Sequence, residues 1–492
     1  MFEYGILPPA MFAAMVAFML FGFPVAFSLG AVGMLFAVVG LVGGFFDPSF
    51  MNALPLRFFG IMSNDLLLAI PFFTLMGAVM ERCGLAEELL EGTGKLFGAI
   101  PGGLAYAVIF VGAILGAITG TVAASVITMA MISLPVMLKY GYNPRLATGV
   151  IAASGTITQV IPPSLVLVVL ADQLGKSVGD MYLGAIGPSI LQVAIFAGYI
   201  AIMSIIKPSS MPALPVEARG ELNMKLVLKV LLSMVPSVAL IFVVLGTIFM
   251  GLATPTEAGA LGVVGAMVIA AINGKLTWPL IRQGMASTMQ ITSMVVFILV
   301  GSTIFSLIFQ GLNGSLWIEH MLSGLPGGQI GFLIFVNVFI FFLAFFLDFF
   351  EIAFIVIPLL APVADALGIN LIWFGVLLCV NMQTSFMHPP FGFALFYLRS
   401  VTPREIPTMD IYKGAIPWLC MQLLLVAIII FWPESVTHWL DKGPKIDVDA
   451  IRIEVPGFNP QGGGMGSAPA GNGLPALGPL GGGLSGPPKI NP

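Results

Sequence analysis

Two acidic residues lie in one of the most apolar runs of the chain. Asp348 and Glu351 stand among the phenylalanine, leucine and isoleucine residues of segment 345–355. A carboxylate costs about 2.5–3.5 kcal/mol at the centre of a membrane helix, so acids found there are candidates for cation binding or proton transfer. The structural alternative is a hairpin tip at the membrane surface, where water would solvate both side chains. We interpret Asp348 and Glu351 as candidate sodium ligands.

A second apolar run offers neutral oxygens instead of acids. Segment 112–135 carries hydroxyl groups on both sides of a glycine and again a few residues later. Hydroxyl and carbonyl oxygens suit hard cations. The predicted sodium ligands of this run are Thr119, Gly120, Thr121 and Ser125.

Two proline pairs mark a third kind of site. Pro162-Pro163 and Pro389-Pro390 follow hydroxyl-bearing residues, and proline cannot donate to a helix ladder. A helix that unwinds there exposes carbonyls on one side and amides on the other, and the amide end attracts a carboxylate. The predicted contacts of an organic anion are Ser154, Thr156, Pro162, Ser164, Thr384, Ser385, His388 and Pro389, of which Ser154 and Thr384 are also candidate sodium ligands. A lone histidine beside two prolines also fits a purely structural role.

The motifs recur at a constant spacing. Gly141 and Pro162 have counterparts 227 residues further on, at Gly368 and Pro389. Matched helix breaks in two halves of a membrane protein are the sequence signature of a transporter's binding site. The spacing therefore predicts an internal duplication.

Composition fixes the fold class. Of the 492 residues, 58% are hydrophobic and 9% are charged, against about 25% charged residues in soluble domains. Apolar stretches recur at lengths able to span a bilayer, which takes about 20 residues. We predict an all-α polytopic membrane protein of two inverted repeats, at 1–206 and 230–435. A polar linker at 207–229, with four basic residues, is predicted to be cytoplasmic, and a Gly/Pro-rich tail at 436–492 is predicted to be disordered.

Two apolar segments are too long for one span. At 1.5 Å per residue, segments 103–138 and 329–364 predict re-entrant hairpins, with one long tilted helix as the alternative for the first. Unwound helices are predicted at 153–164 and 381–392. Non-helical backbone at membrane depth survives only where protein or a water-filled cavity covers it.

Several function classes are disfavoured. The three cysteines and three histidines have no metal-ligand spacing, so neither a metal enzyme nor a bound cofactor is predicted, and no basic patch suggests nucleic acid. An intramembrane enzyme would need a clustered acid pair or a nucleophile with a base, and Asp348 and Glu351, three residues apart, are the only weak candidate. Glu257, preceded by Thr254 and Thr256, is better explained as a helix cap.

The ordered motifs resemble a known family. The segments that carry the resemblance are 68–73, 116–125, 152–157, 161–164, 255–258 and 389–392. Over residues 5–435 the chain is similar to the large membrane subunit of tripartite ATP-independent periplasmic (TRAP) transporters. His388, where the family often has threonine, and the bulky Phe349-Phe350 depart from the family pattern.

The resemblance implies an elevator-type secondary transporter of the bacterial inner membrane, driven by a sodium gradient. Its expected partners are the lipid bilayer, a small four-helix membrane subunit and a periplasmic binding protein that delivers a carboxylate or 2-oxo acid. The resemblance places the ion sites on Thr119, Gly120, Thr121, Ser154, Thr156, Asp348, Thr384 and Ser385. The alternative is a stand-alone cation/proton antiporter or anion symporter of related architecture, with Asp348, Glu351 and His388 as its coupling residues.

Overall fold

The computed structural model describes residues 5–219, 223–345, 347–390 and 392–440, which fold into a bundle of helices. The first half contains α1 (Leu7–Leu20), α2 (Val25–Val42), α3 (Leu54–Met62), α4 (Ala69–Arg82), α5 (Leu85–Phe97), α6 (Gly103–Thr119), α7 (Val122–Lys139), α8 (Pro144–Thr156), α9 (Leu165–Leu174) and α10 (Val178–Ile206). The second half contains α11 (Met224–Phe249), α12 (Pro255–Ile272), α13 (Trp278–Gly311), α14 (Gly314–Ser323), α15 (Gly328–Leu343), α16 (Phe349–Glu351), a π-helix (Ile352–Val356), α17 (Ile357–Ala366), α18 (Leu371–Ser385), α19 (Phe393–Val401), α20 (Thr408–Phe431) and α21 (Glu434–Thr437).

The helices are built for a lipid environment. Within the described ranges, eight helices are long and apolar enough to cross a membrane, or up to ten if each of two bent pairs counts as one span. Large apolar side chains such as Phe242 on α11 and Phe297 on α13 are more than half exposed. The chain is an all-α, multi-pass membrane protein, as its composition predicts.

Segment 103–138 folds back on itself at Gly120. This glycine joins α6 to α7 with a φ of +64°, a left-handed conformation that glycine adopts at no steric cost. The outer ends of the two helices meet again, because the backbone N–H of Leu104 donates to the Tyr142 hydroxyl at 3.2 Å. The segment is therefore a helical hairpin and not one tilted helix.

The equivalent segment of the second half is also a hairpin. Its outer ends are joined where the Gln329 side chain donates from Nε2 to the Leu367 carbonyl at 2.8 Å. Its tip lies between the end of α15 and the start of α16, with Asp348 as the residue before α16.

The two hairpins start from opposite ends of the bundle. The base of the first contacts the linker, since Asn143 N donates to the Ser210 carbonyl at 2.9 Å; we call this end the linker face. The start of α12 and the end of α13 lie together at the other end, the far face, where Thr256 donates to the Asp65 carbonyl at 2.7 Å and Arg57 donates to Gln310 at 2.9 Å. The second hairpin follows the far end of α13, so the halves are inverted.

Several predicted boundaries shift. The unwound segments predicted at 153–164 and 381–392 start later, because α8 stays helical to Thr156 and α18 to Ser385. The linker and the tail shift as well. The last six residues of the predicted linker, 224–229, belong to α11, whose first turn carries the half-buried Leu226 and Val227. The predicted tail starts at 436, yet α21 crosses that point with Val436 fully buried. Apolar side chains that find a packing surface extend the helices past the polar residues that suggested an end. The rest of the predicted tail, 441–492, lies outside the described residues.

Candidate functional site

The first helix break follows α8. A single 3₁₀ turn at Ile157–Gln159 replaces the α-helix after Thr156, and Pro162-Pro163 follows. Ser164 then caps α9, because its hydroxyl accepts the N–H of Val166 at 3.2 Å. All the side chains from 154 to 160 are buried. The break is thus a polar backbone segment held inside the protein, which is where such a segment can exist at membrane depth.

Five hydroxyl groups at the two breaks share one pattern. Each donates its hydrogen to the carbonyl three residues earlier: Ser154 to Ile151, Thr156 to Ala153, Thr158 to Gly155, Thr384 to Asn381 and Ser385 to Met382. A hydroxyl that donates in this way keeps oxygen lone pairs for a further partner. Except at Thr156, whose lone pairs accept two glutamine amides, the pattern therefore presents neutral oxygen acceptors of the type that can ligate a cation.

The first hairpin covers the first break. A methyl group added to Gly116 of α6 would come within 3.0 Å of the Thr158 Cα atom, so α6 and the break are in backbone contact. At the hairpin tip the Thr119 and Ser125 hydroxyls are 2.8 Å apart and both side chains are buried. Gly120 and Thr121 next to them are half-buried. The structure thus brings four of the predicted sodium ligands together at one tip.

Tyr142 fixes the base of that hairpin. Burial raises its pKa to about 12, so the phenol stays neutral and accepts the Leu104 N–H described above. The hairpin is therefore closed at both ends, by a hydroxyl pair at the tip and by this phenol at the base.

The two breaks meet at Thr156. Its hydroxyl accepts hydrogen bonds from Gln383 Nε2 at 3.4 Å and from Gln422 Nε2 of α20 at 3.2 Å. Gln383 lies 227 residues after Thr156, which is the repeat spacing, so equivalent positions of the two halves touch each other. A second link runs from Cys379 Sγ to the Gln159 carbonyl at 3.3 Å.

The second hairpin covers the second break through different chemistry. Asn381 Nδ2 donates to the Asn337 carbonyl of α15 at 2.8 Å. The His388 ring stacks on Phe345 with centroids 3.8 Å apart, and neither ring nitrogen has a hydrogen-bond partner. His388 is 2% exposed. The aromatic contact accounts for its position, and its two nitrogens remain for a ligand.

The two acids of the second tip cap a helix. Glu351 N donates to Asp348 Oδ1 at 3.0 Å, and Asp348 N donates to Glu351 Oε2 at 3.0 Å. This reciprocal pair is a capping box. Each carboxylate has one oxygen outside the pair. Within the described ranges, no hydroxyl of the breaks donates a hydrogen bond to either acid. The capping interpretation of Glu257 is confirmed, since Thr254 and Glu257 form the same motif.

The site also contains three glutamines that the sequence motifs did not indicate. Gln159, Gln383 and Gln422 are at most 2% exposed, and the side-chain oxygen of each lacks a hydrogen-bond partner. The position of Gln383 follows from the repeat spacing once Thr156 is chosen. Gln422 has no such signal, because α20 lies outside the duplicated motifs.

Comparison with known proteins identifies the family. Residues 12–435 match the family described as "Tripartite ATP-independent periplasmic transporter, DctM component". The chain is 30% identical over 462 residues to the C4-dicarboxylate TRAP transporter large permease protein DctM of Vibrio cholerae, covering 89% of this chain and 98% of that protein. It is 26% identical over 414 residues to the sialic acid TRAP transporter large permease protein SiaM of the same organism, covering 84% and 93%.

A solved structure shares the fold. The YdaH transporter of Alcanivorax borkumensis superposes with a TM-score of 0.58 at 15% identity, over 85% of this chain and 97% of that one. The order of the sequence motifs, the paired hairpins and the family match over most of the chain support the same assignment. The protein is a multi-pass inner-membrane protein that belongs to the TRAP transporter large permease family.

Proposed function

We propose that this chain is the membrane permease of a sodium-driven importer of organic acids, fed by a periplasmic binding protein and braced by a small four-helix membrane subunit. The observation that carries the proposal is the junction at Thr156, where two hydroxyl-lined helix breaks meet, each under its own hairpin. Broken helices that meet in this way supply oxygen atoms for cations and free amides for an anion.

The names of the relatives and the partial positive charge of the helix ends support an organic acid as the substrate. The two relatives above are named for C4-dicarboxylate and for sialic acid, which are both carboxylates. The amide ends at the two proline pairs carry partial positive charge. We propose Ser154, Thr384, Ser385, His388 and Pro389 as the residues nearest the carboxylate, with Pro162, Ser164 and the start of α9 completing the site.

Sodium is assigned to the hairpin tips. The buried hydroxyl pair of Thr119 and Ser125, with the backbone at Gly120 and Thr121, offers neutral oxygens. At the second tip, the carboxylates of Asp348 and Glu351 offer negative charge. Import then requires the hairpins and the breaks to move together between the two faces, which is an elevator movement. The contacts between each break and its hairpin hold them together as one rigid unit.

Uptake into proteoliposomes tests the proposal. The chain is reconstituted with its candidate small subunit, and uptake of labelled succinate and N-acetylneuraminate is followed with and without the candidate binding protein and an inward sodium gradient. We expect uptake that needs both. Uptake without the binding protein, or driven by a proton gradient alone, would replace the proposal with a stand-alone exchanger.

A single variant tests the sodium assignment in the same assay. Asp348→Asn removes the charge but keeps an N-cap oxygen, since asparagine caps helices as well as aspartate does. We expect the sodium concentration for half-maximal uptake to rise by about tenfold, the effect of losing one charged ligand, with an unchanged unfolding temperature. Unchanged sodium dependence would leave Asp348 as a helix cap only.

A further inference from the structure

A polar cavity of about 430 Å³ lies at the far face, and its lining residues are not those of the helix breaks. It is formed by α3, the turn before α4, α9, α13 and the second hairpin, so both halves of the chain contribute to it. Its polar lining includes Arg57, Asn64, Asp172, Gln173, Ser302 and Ser306. We call it the Arg57 cavity. Its volume falls in the range of small-molecule sites, about 300–1,000 Å³.

The carboxylate in this cavity, Asp172, is hydrogen-bonded by neighbouring amides. Asp172 accepts Asn64 Nδ2 at Oδ1 and Gln173 Nε2 at Oδ2, both at 2.8 Å. Each carboxylate oxygen of Asp172 therefore has an amide donor.

The positive charge of Arg57 has no carboxylate partner among the described ion pairs. The Arg57 guanidinium donates from Nη2 to Gln310 Oε1 at 2.9 Å. The ion pairs among the described residues, Lys95–Glu91 and Arg145–Asp410, lie elsewhere. A guanidinium has five N–H donors, so Arg57 holds both charge and donors for a ligand that reaches the cavity.

We propose that the Arg57 cavity binds the carboxylate of the transported acid before the acid reaches the helix breaks. This inference rests on the proposed function, because it takes an organic acid as the ligand. Arginine presents a planar fork that matches a carboxylate with two parallel hydrogen bonds. The cavity is close to the breaks along the chain, since Asp172 lies seven residues into α9, about 10 Å from its start.

The residues that line the Arg57 cavity favour one class of organic acid as its ligand. Arg57 is the one cation that lines the cavity among the described residues, and Asp172 is the one anion. A second carboxylate on the ligand would find no second cation and would be repelled by Asp172. The hydroxyl groups of Ser302, Thr303 and Ser306 suit hydroxyl or amide groups instead. The cavity therefore favours a hydroxylated monocarboxylate over a dicarboxylate.

Chemical protection tests the site without any transport assay. The protein in phosphatidylcholine nanodiscs is treated with phenylglyoxal, and modification of Arg57 is followed by peptide mass spectrometry in D-gluconate, N-acetylneuraminate, succinate or chloride at equal ionic strength. Arg282, an exposed arginine on α13, is the internal control. We expect gluconate or N-acetylneuraminate to slow the Arg57 reaction at least about threefold relative to chloride, with succinate weaker and Arg282 unaffected.

Three results would overturn the inference. Equal rates in all four anions would show that no carboxylate binds, and stronger protection by succinate would refute the hydroxylated class. An Arg57 that is unreactive in nanodiscs without any acid and reactive in detergent would assign the guanidinium to a lipid headgroup.

Variants then place the site on the transport path. Arg57→Gln removes the charge, Arg57→Lys keeps the charge but loses the fork, and Arg282→Gln is the matched control. We expect Arg57→Gln to raise KM for uptake about tenfold with kcat within twofold, and Arg57→Lys to fall between it and the wild type. An unchanged KM in a folded Arg57→Gln protein refutes the inference. Absence of uptake in the wild type would refute the proposed function instead, and the protection result would still stand.

Discussion

Thr156 uses the whole hydrogen-bonding capacity of its hydroxyl. The group has one hydrogen and two lone pairs; it donates to the Ala153 carbonyl at 2.9 Å and accepts one amide from Gln383 and one from Gln422. The sequence marks Thr156 as a substrate contact. The structure makes it a junction between the two halves of the site, and a ligand would have to displace an amide to reach its oxygen.

Replacing that hydroxyl tests the junction. Thr156→Val keeps the shape of the side chain but leaves two buried amide groups without their acceptor, at about 1–3 kcal/mol for each group. We expect a lower unfolding temperature and reduced uptake, whereas Thr156→Ser should resemble the wild type because it keeps the hydroxyl. Thr288→Val is the control, since the Thr288 hydroxyl donates to the Gly284 carbonyl of its own helix at 2.9 Å and joins no other helix among the described residues. Equal effects of the two valine substitutions would contradict the role of Thr156.

At the residue scale the sequence predicts chemistry better than it predicts partners. The sequence predicts Thr119 and Ser125 as oxygen ligands, and their hydroxyls are in contact. It also predicts Asp348 and Glu351 as ligands, yet their spacing is that of a capping box, as it is for Thr254 and Glu257. Spacing alone cannot separate a cap from a ligand, because an acid near a helix start can serve as either.

At the scale of elements, the first hairpin is held by a helix that no motif connects to it. A methyl group on Gly77 of α4 would lie 2.3 Å from the Thr119 carbonyl oxygen, so α4 touches the hairpin tip backbone to backbone. The break at Gly120 is predictable, because Thr-Gly-Thr interrupts an apolar run. The contact at Gly77 is not, because it depends on how α4 packs.

Filling that contact should displace the tip. For Gly77→Ala we expect uptake to fall at least about tenfold, since no Cβ fits at 2.3 Å from a backbone oxygen without a shift of α4 or of the tip. Gly198→Ala on α10 is the matched control: it has no atom within 4 Å of the added methyl, and alanine favours a helix over glycine by about 0.8–1 kcal/mol. Sodium-dependent uptake and thermal unfolding are measured for both. Equal uptake in the two variants would show that the tip tolerates displacement.

Across the whole molecule, the internal duplication is the sequence feature that predicts most of the structure. A constant spacing of 227 residues predicts that the second half repeats the hairpin and the break of the first, and it also pairs Thr156 with Gln383. The duplication predicts nothing about elements outside the repeated motifs. Gln422 on α20 and the Arg57 cavity depend on packing between segments with no shared pattern, so a single sequence holds no signal for them.

The C-terminal boundary gives a prediction for the whole chain. The family match ends at residue 435, and the last described helix, α21, packs on α10: a methyl group on Gly184 would come within 3.0 Å of Val436 Cγ1, and Val436 is fully buried. A chain that ends at Leu440 should keep the unfolding temperature and the uptake of the full chain, because a Gly/Pro-rich segment buries too little apolar surface to stabilise a fold. A chain that ends at Phe431 removes α21 and should lose stability, by about 1.5–3 kcal/mol for the buried valine alone. Thermal unfolding in the same detergent and uptake into proteoliposomes compare the three chains. Loss of uptake in the chain that ends at Leu440, with its stability intact, would instead give residues 441–492 a role in assembly or transport.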